Sequence, residues 1–188
     1  MRLLAPDVER ELIDRIRRGD DSAMRSLYER LSPWLGGICA RYLSGDESVR
    51  DVLQEVFVKI FTRFDRFTYR GAGSLQAWAG RIAVNESLMF LKERHREKTV
   101  SLDLDLGGAE EDEGPEVEDI PEDVVLEMVR QLPDRYRTVF NLYVFEDLSH
   151  KEIASLLHIK EDTSASDLHR ARKLLCRMID RYRTIGPM

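Results

Sequence analysis

Only two cysteines occur in these 188 residues, Cys39 and Cys176, and no C-x-x-C pair or Cys/His cluster accompanies them. Such a chain has no disulfide framework and no thiolate metal site, so we expect two reduced, buried thiols in a cytoplasmic protein. The four histidines also fit no metal-ligand spacing. The sequence therefore predicts no metal and no cofactor.

Other signals are also missing. No apolar run approaches the length that crosses a membrane, and Leu3–Leu4–Ala5 is too short for the core of a signal peptide. There is no glycine-rich phosphate loop and no Ser/His/Asp grouping for nucleophilic catalysis. We expect a protein that is not an enzyme and does not insert into a membrane.

Positive charge is unevenly distributed within a chain of net charge −6. Residues 1–98 carry 18 Lys or Arg against 15 Asp or Glu, and residues 124–188 carry 11 against 9. Residues 99–123 hold 11 acidic side chains and no basic one. Two slightly basic segments are therefore separated by a strongly acidic one.

The acidic segment also contains glycines, two prolines and little apolar surface, which is typical of a flexible, self-repelling linker. We predict a domain over 8–98, the linker over 99–123 and a second domain over 124–183. The linker is either a solvated spacer or a segment that folds back over a basic surface and suppresses DNA binding.

Helical periodicity predicts an all-α protein of two small helical domains. In the first domain we predict helices over Val8–Arg18, Ser22–Tyr42 with a break near Pro33, Asp46–Phe64 and Ser74–Arg94. The third of these has one continuous apolar stripe, formed by Val49, Val52, Leu53, Val56, Phe57, Ile60, Phe61 and Phe64. That stripe is expected to face the core.

The opposite face of the same helix places Val58 inside an acidic and amide rim of Asp51, Gln54, Glu55 and Thr62. One reading is an ordinary surface with a single exposed valine. The other is a docking face for a basic partner helix.

The fourth helix places Arg81, Asn85 and Lys92 on one side, at spacings of four and seven residues. The loop before it, Phe67–Gly73, adds two aromatic rings, an arginine and two glycines. Cations and an amide beside aromatic rings suit unstacked DNA bases, so this region can hold a flipped base. The alternative is a surface helix with ordinary charges and a packed Trp78.

The stretch from Leu148 to Arg172 is typical of a DNA-binding helix-turn-helix. Ser149 and Glu152 match an S-x-x-E capping box, so a helix should begin at Ser149. We predict the turn over His158–Asp162, with Asp162 or Thr163 capping the second helix.

In that second helix, Ser166, His169, Arg170 and Lys173 fall off the apolar stripe and are free to touch DNA. We predict base reading by Arg170 and phosphate contacts by Arg172 and Lys173. An ordinary helical hairpin with a solvated basic face is the alternative.

These motifs occur together in a fixed order, and over residues 8–182 the chain resembles the extracytoplasmic-function group of bacterial RNA polymerase sigma factors. The motifs that carry the resemblance are Asp51-Val52-Leu53-Gln54-Glu55-Val56-Phe57, Trp78, Arg81-Ile82-Ala83-Val84-Asn85, Leu132-Pro133 and the helix-turn-helix.

The resemblance implies a subunit that gives core RNA polymerase its promoter choice, with catalysis left to the polymerase. It implies that the clamp helices of the largest polymerase subunit bind Asp51, Gln54, Glu55 and Val58. It implies that melted minus-ten bases are captured by Arg70, Gly71, Ser74, Trp78, Arg81, Asn85 and Lys92. It implies that the minus-thirty-five duplex is read by Ser166, His169, Arg170, Arg172 and Lys173. Many relatives are held inactive by an anti-sigma protein, so such a partner is also expected.

The recognition helix departs from the common pattern of the family at Asp162, Ala165 and Asp167, where glycine or basic residues are frequent. An acid at position 167 either repels the DNA backbone or accepts a hydrogen bond from a cytosine amino group.

Two competing functions for the whole protein predict different behaviour. A self-sufficient regulator would bind an operator as a dimer, and a protein-binding scaffold would not depend on DNA.

Overall fold

The structure, a computed structural model, describes residues 4–97, 117 and 119–185. Those residues form α-helices and one short 3₁₀ turn, with no strand among them, which confirms the predicted all-α class. The chain divides into two compact units, an N-terminal unit (Met1–Glu97) and a C-terminal unit (Lys98–Met188).

Four helices build the N-terminal unit. They are α1 (Pro6–Arg17), α2 (Asp21–Tyr42), α3 (Asp46–Thr62) and α4 (Ser74–Glu97), with the 3₁₀ turn at Phe64–Arg66 between α3 and α4. The C-terminal unit contains α5 (Glu122–Gln131), α6 (Asp134–Val144), α7 (His150–Leu157) and α8 (Glu161–Ile185).

Local chemistry explains how the first two helices begin. Pro6 occupies the first turn of α1, where its missing N–H costs nothing. Asp20 caps α2, because its Oδ1 accepts hydrogen bonds from the N–H groups of Ser22 at 2.9 Å and Ala23 at 3.3 Å. Hydrogen bonds from the side chains of Ser22 and Arg15 hold the pKa of Asp20 well below its usual range. The carboxylate therefore stays charged beside the helix N-terminus.

The predicted break near Pro33 does not occur, because α2 continues through this residue. Pro33 and Glu29, whose carbonyl loses its helical donor, are both exposed. Water can therefore replace the missing hydrogen bond without bending the helix into the core.

The core of the N-terminal unit lies between α2, α3 and α4, which contact one another, while α1 packs on α2. The predicted stripe of α3 faces this core: Val52, Val56, Phe57, Ile60 and Phe64 are buried. Its other three members, Val49, Leu53 and Phe61, are half-buried. The periodicity argument is therefore confirmed for α3, although the helix ends at Thr62 rather than at Phe64.

Helices α2 and α4 approach closely at Gly80, which is buried. A Cβ at this position would lie 2.8 Å from Cη2 of Trp34 and 3.6 Å from Cδ1 of Ile38. The absence of a side chain at Gly80 is what lets the indole ring of α2 rest on the backbone of α4.

In the C-terminal unit, a buried arginine fixes the corner between α5 and α6. Arg137 is 1% exposed and donates hydrogen bonds to the carbonyls of Arg130 at 2.7 Å and Leu132 at 3.0 Å. It also pairs with Asp134 at 2.5 Å. Two carbonyls at the C-terminal end of α5, where helical donors are missing, thus accept hydrogen bonds from a single side chain.

The end of the predicted linker belongs to the C-terminal unit, which differs from the predicted boundary at 124. Ile120 is 8% exposed in a core that includes Met128, Val129 and Leu175. Asp119 pairs with Arg183 of α8 at 2.6 Å. The side chain of Ile120 adds apolar area to this core, which the acidic composition of the surrounding sequence did not indicate. Residues 99–116 and 118 lie outside the described residues, and so does the hypothesis that the linker covers a DNA-contacting surface.

Both cysteines are free thiols. Burial raises the pKa of Cys39 to about 11, whereas Cys176 is half-buried rather than buried.

Over residues 4–97, 117 and 119–185 there is no helix long and apolar enough to cross a membrane. Within the same ranges, no group of three or more His, Cys, Asp or Glu residues is arranged to hold a metal ion.

Replacing either of two glycines in the N-terminal unit with alanine should have opposite effects on stability. Gly80→Ala adds a methyl group against Trp34. It should lower the free energy of unfolding, because overpacking of about 1–3 kcal/mol outweighs the helix-propensity gain of roughly 1 kcal/mol. Gly37 of α2 has nothing within 4 Å of its added Cβ, so Gly37→Ala should raise the free energy of unfolding by about 0.5–1 kcal/mol.

Both tryptophans lie in the N-terminal unit, so tryptophan fluorescence in a urea titration measures the stability of that unit alone. Equal midpoints for the two variants would show that the indole ring moves aside at little cost.

Candidate functional site

An open cavity of about 380 Å³ lies where the loop before α4 meets the first turns of that helix. It is lined by Arg66, Phe67, Thr68, Arg70, Ser74, Ala77, Trp78 and Arg81, and we call it the α4 cavity. Its volume is in the range of small-molecule sites, about 300–1,000 Å³. Four of the residues assigned to melted DNA, Arg70, Ser74, Trp78 and Arg81, are therefore brought together.

The α4 cavity combines aromatic surface with positive charge. The rings of Phe67 and Trp78 lie 5.1 Å apart between centroids, and the side chains of Arg66, Arg70 and Arg81 are exposed around them. Aromatic faces and guanidinium groups are the two features that hold unstacked bases and the phosphates joining them. The sequence interpretation missed Arg66, although its position next to the aromatic loop was visible in the sequence.

The other residues assigned to melted DNA lie outside the lining of the cavity. Asn85 and Lys92 are exposed farther along α4. Gly71 is half-buried in the loop with φ of +123°, a backbone conformation that favours glycine. Asn85 and Lys92 thus lie on the same helix as Trp78 and Arg81, farther toward its C-terminal end.

The loop before α4, residues 67–73, is attached to α1. Glu9 of α1 is fully buried, and its carboxylate accepts hydrogen bonds from the N–H groups of Gly73 at 2.6 Å and Leu75 at 2.8 Å. Arg17 donates to the carbonyl of Phe67 at 2.9 Å. These contacts were not foreseen, since nothing in the sequence distinguishes Glu9 from a solvated acid on a helix surface.

The outward face of α3 has the composition that the sequence predicted. Asp51, Gln54 and Glu55 are exposed, and Val58 is 53% exposed between them. The neighbouring Lys59 is turned toward α4, where it pairs with Glu86 at 2.5 Å. The exposed face of α3 therefore presents one apolar side chain among acidic and amide groups.

The helix-turn-helix begins as predicted. Ser149 and Glu152 form both halves of a capping box: the Ser149 hydroxyl accepts from the N–H of Glu152, and the Glu152 carboxylate accepts from the N–H of Ser149. Hydrogen bonds from Ser149 lower the pKa of Glu152. The start of α7 is thus fixed by its own sequence.

The predicted turn over His158–Asp162 is too long. His158 takes the left-handed conformation with φ of 56° and ends α7, and α8 already begins at Glu161. Asp162 and Thr163 are therefore inside the first turn of α8, and neither is its capping residue. A single left-handed residue closes the corner, so fewer residues are needed between the helices.

The residues assigned to duplex DNA all lie on α8. Ser166 is exposed, and His169, Arg170, Arg172 and Lys173 are half-buried. The Ser166 hydroxyl donates to the carbonyl of Asp162 at 2.7 Å, which leaves its lone pairs as acceptors.

Aromatic stacking orients one of these residues. The guanidinium carbon of Arg172 lies 5.7 Å from the centre of the Tyr143 ring. Tyr143 in turn stacks on His150 with centroids 4.9 Å apart, and Nδ1 of His150 is 3.0 Å from the buried hydroxyl of Ser164. Arg172 therefore packs against a series of side-chain contacts that joins α6, α7 and α8.

Both earlier readings of Asp167 are wrong, because its side chain is 0% exposed. Its Oδ2 accepts from Nε of Arg135 on α6 at 2.7 Å, and its Oδ1 lies 3.6 Å from Nη1 of Arg170. A carboxylate buried in this way neither repels a DNA backbone nor accepts from a cytosine. Asp167 instead joins α6 to α8 and lies beside the residue assigned to base reading.

Comparison with known proteins follows the same division of the chain. The family described as Sigma-70 region 2 matches residues 27–97, and the family described as Sigma-70, region 4 matches residues 122–175.

Relatives that are sigma factors align with nearly the whole chain. The RNA polymerase sigma-H factor of Pseudomonas aeruginosa is 30% identical over 92% of this chain and 94% of its own length. The ECF RNA polymerase sigma-E factor of Escherichia coli K12 is 32% identical over 87% of this chain and 90% of its own. The solved structure of CnrH in complex with the cytosolic domain of CnrY is 20% identical, covers 92% of this chain and 97% of that one, and has a TM-score of 0.47.

The buried pair of Asp167 and Arg135 predicts a loss of stability when the charge is removed. We expect Asp167→Asn to lower the free energy of unfolding by about 1–3 kcal/mol, since a half-exposed arginine partner is partly screened by solvent. The control Asp180→Asn changes an exposed acid of the same helix and should stay within about 0.5 kcal/mol. Urea titration followed by circular dichroism measures both, and identical midpoints would mean that the pair contributes nothing.

Proposed function

Because this chain belongs to the extracytoplasmic-function group of bacterial RNA polymerase sigma factors, which direct promoter-specific transcription, we propose a role for each of its three exposed functional surfaces. One surface binds the polymerase, one binds melted DNA and one reads duplex DNA. The observation that carries the proposal is the α4 cavity, where aromatic rings and three arginines surround a space of about 380 Å³.

The outward face of α3 is the proposed contact for the clamp helices of the largest polymerase subunit. Its acidic rim of Asp51 and Glu55 complements a basic helix, and the amide of Gln54 adds a donor and an acceptor. Val58 supplies apolar area at the centre, where water is excluded most completely.

The α4 cavity is the proposed site for an unpaired base of the minus-ten element. A base inside it can stack on Trp78, while Arg70 and Arg81 neutralise adjacent phosphates. Asn85 and Lys92 extend the same contact along α4 toward neighbouring nucleotides. Because an unpaired base gains these contacts only after strand separation, binding favours the open form of the promoter.

The exposed side of α8 is the proposed reader of the minus-thirty-five duplex. Arg170 can donate two hydrogen bonds to a guanine, and Ser166 and His169 add single contacts to base edges. Arg172 and Lys173 reach the phosphates, which fixes the register of the helix in the major groove. Bond making and breaking stay with the polymerase.

We place this activity in the cytoplasm, where polymerase and promoter meet, with an anti-sigma protein as a further partner. The alternative of a self-sufficient operator-binding regulator is disfavoured by full-length relatives that are sigma factors. The two alternatives differ in a direct test, since only a sigma factor requires core polymerase to bind and open its promoter.

Charge reversal on α3 tests the polymerase contact. Glu55→Lys puts a cation opposite a basic helix, and we expect core-polymerase affinity to fall at least about tenfold, because like charges at an interface cost several kcal/mol. Glu47→Lys makes the same charge change at an exposed position nearer the start of α3 and should leave affinity unchanged. Fluorescence anisotropy of labelled protein with core polymerase measures both, and equal affinities would remove α3 from the interface.

Two matched pairs of variants test the DNA surfaces, each pair losing one positive charge so that non-specific attraction falls equally. Arg170→Gln should lose about 1–3 kcal/mol of discrimination at one duplex base pair, whereas Arg177→Gln, exposed on the same helix, should not. Arg81→Gln should slow promoter opening without altering the preference for duplex sequence. Arg63→Gln, a substitution at an exposed position, should leave the opening rate unchanged.

The readout for these pairs is transcription by the reconstituted polymerase from a pool of randomised promoters, followed by sequencing of the active templates. Indistinguishable promoter preferences and opening rates within both pairs would contradict the assigned DNA surfaces.

A further inference from the structure

The first helix contacts the loop before α4 through a fully buried carboxylate. The two oxygens of Glu9 accept separate hydrogen bonds, one from the N–H of Gly73 at 2.6 Å and one from the N–H of Leu75 at 2.8 Å. These N–H groups lie at the start of α4, where a helix leaves its donors without helical partners. A carboxylate withdrawn from water persists only where such donors surround it.

Two arginines of α1 contact the beginning and the middle of the same loop. Arg17 donates from Nη2 to the carbonyl of Phe67 at 2.9 Å. The guanidinium carbon of Arg10 lies 5.1 Å from the centre of the Tyr69 ring. The loop is therefore attached to α1 near its beginning, near its middle and at its end.

The residues between these attachments line the α4 cavity. Phe67, Thr68, Arg70 and Ser74 all belong to the lining, and the backbone N–H of Arg70 donates to the hydroxyl of Ser74 at 3.2 Å. The loop carries Gly71 at φ of +123° and Gly73 at φ of +88°, and glycine populates many backbone conformations when it is not constrained. Contacts from outside the loop are therefore needed to keep one shape.

We propose that α1 is a clasp that fixes the shape of the α4 cavity, and that Glu9 and Arg17 are positioning residues for the captured promoter base. This inference rests on the proposed function of the cavity, and α1 lies outside the region 2 match, which begins at residue 27. Neither side chain touches DNA. Both act by holding the loop in the conformation that accepts a base, so that the ordering cost is met during folding rather than during promoter opening.

The decisive variants remove single contacts of the clasp. Glu9→Gln keeps the size of the side chain but turns an amide nitrogen, a donor, toward one of the two backbone donors. Arg17→Gln removes the donor to Phe67. Arg18→Gln is the matched control, because Arg18 is also exposed, carries the same charge and donates to the carbonyl of Asp14 at the end of its own helix.

The experiment uses the full chain with core polymerase. A promoter is first selected by the wild-type protein from a randomised pool, and its rate of opening is then measured for each variant, together with base preference in the same pool. We expect Glu9→Gln to slow opening about tenfold and to broaden the base preference at one minus-ten position, since a buried donor loses its partner. Arg17→Gln should act in the same direction by about threefold, with Arg17→Lys restoring the rate and Arg18→Gln having no effect.

Base preference and polymerase affinity separate positioning from simple stabilisation. A purely structural role lowers the melting temperature but leaves the base preference of the folded protein unchanged, and that result would overturn the proposal. If Glu9→Gln does not fold, the comparison of Arg17→Gln with Arg18→Gln decides, and equal opening rates for these two overturn it. Polymerase affinity should stay within about twofold of wild type for every folded variant, because the α3 face is intact.

Arg81→Gln distinguishes failure of this inference from failure of the proposed function. If Arg81→Gln opens the selected promoter at the wild-type rate, the cavity is not the base site and the proposed function of that surface fails. If Arg81→Gln is defective while the folded Glu9 and Arg17 variants behave as wild type, only the clasp is disproved.

Discussion

Each of the two surfaces that we propose bind nucleic acid lies beside a carboxylate that is withdrawn from water. Glu9 in the N-terminal unit and Asp167 in the C-terminal unit are both 0% exposed, and burial of a charge is tolerated only when donors compensate for the lost hydration. The donors to Glu9 are backbone amides more than 60 positions along the chain, and Asp167 accepts a hydrogen bond from Arg135 on α6. Because these donors belong to other segments, each buried carboxylate joins separate parts of the fold beside side chains that we propose contact DNA.

Local charge matters more than total charge in this molecule. The net charge of −6 conceals a cavity bordered by three arginines, an acidic rim on α3 and a basic side of α8. Association with DNA depends on cations close to the phosphates, within roughly a Debye length of 8–10 Å at moderate salt. One small unit therefore carries an acidic surface on α3 and a cavity bordered by arginines at α4, which we propose bind the polymerase and DNA respectively.

Periodic and local features were predictable from the sequence, whereas long-range polar pairs were not. The apolar stripe of α3 and the capping box of α7 follow from spacing within one helix, and the structure confirms both. The buried states of Glu9 and Asp167 depend on partners distant in the chain, so composition and periodicity did not predict them. The burial of Ile120 likewise depends on partners in α5 and α8, which is why it was assigned to the linker. The left-handed conformation of His158, by contrast, is a local backbone feature that composition did not predict.

The position of Asp167 restricts how this protein can change over evolutionary time. Arg170, which we propose reads a base pair, also lies 3.6 Å from a buried carboxylate that keeps Arg135 as its closer partner. A neutral replacement at 170, besides its proposed effect on DNA preference, removes a positive charge from beside that buried carboxylate. If Arg170 reads a base as we propose, a change of promoter preference is expected to involve substitutions at both 167 and 170.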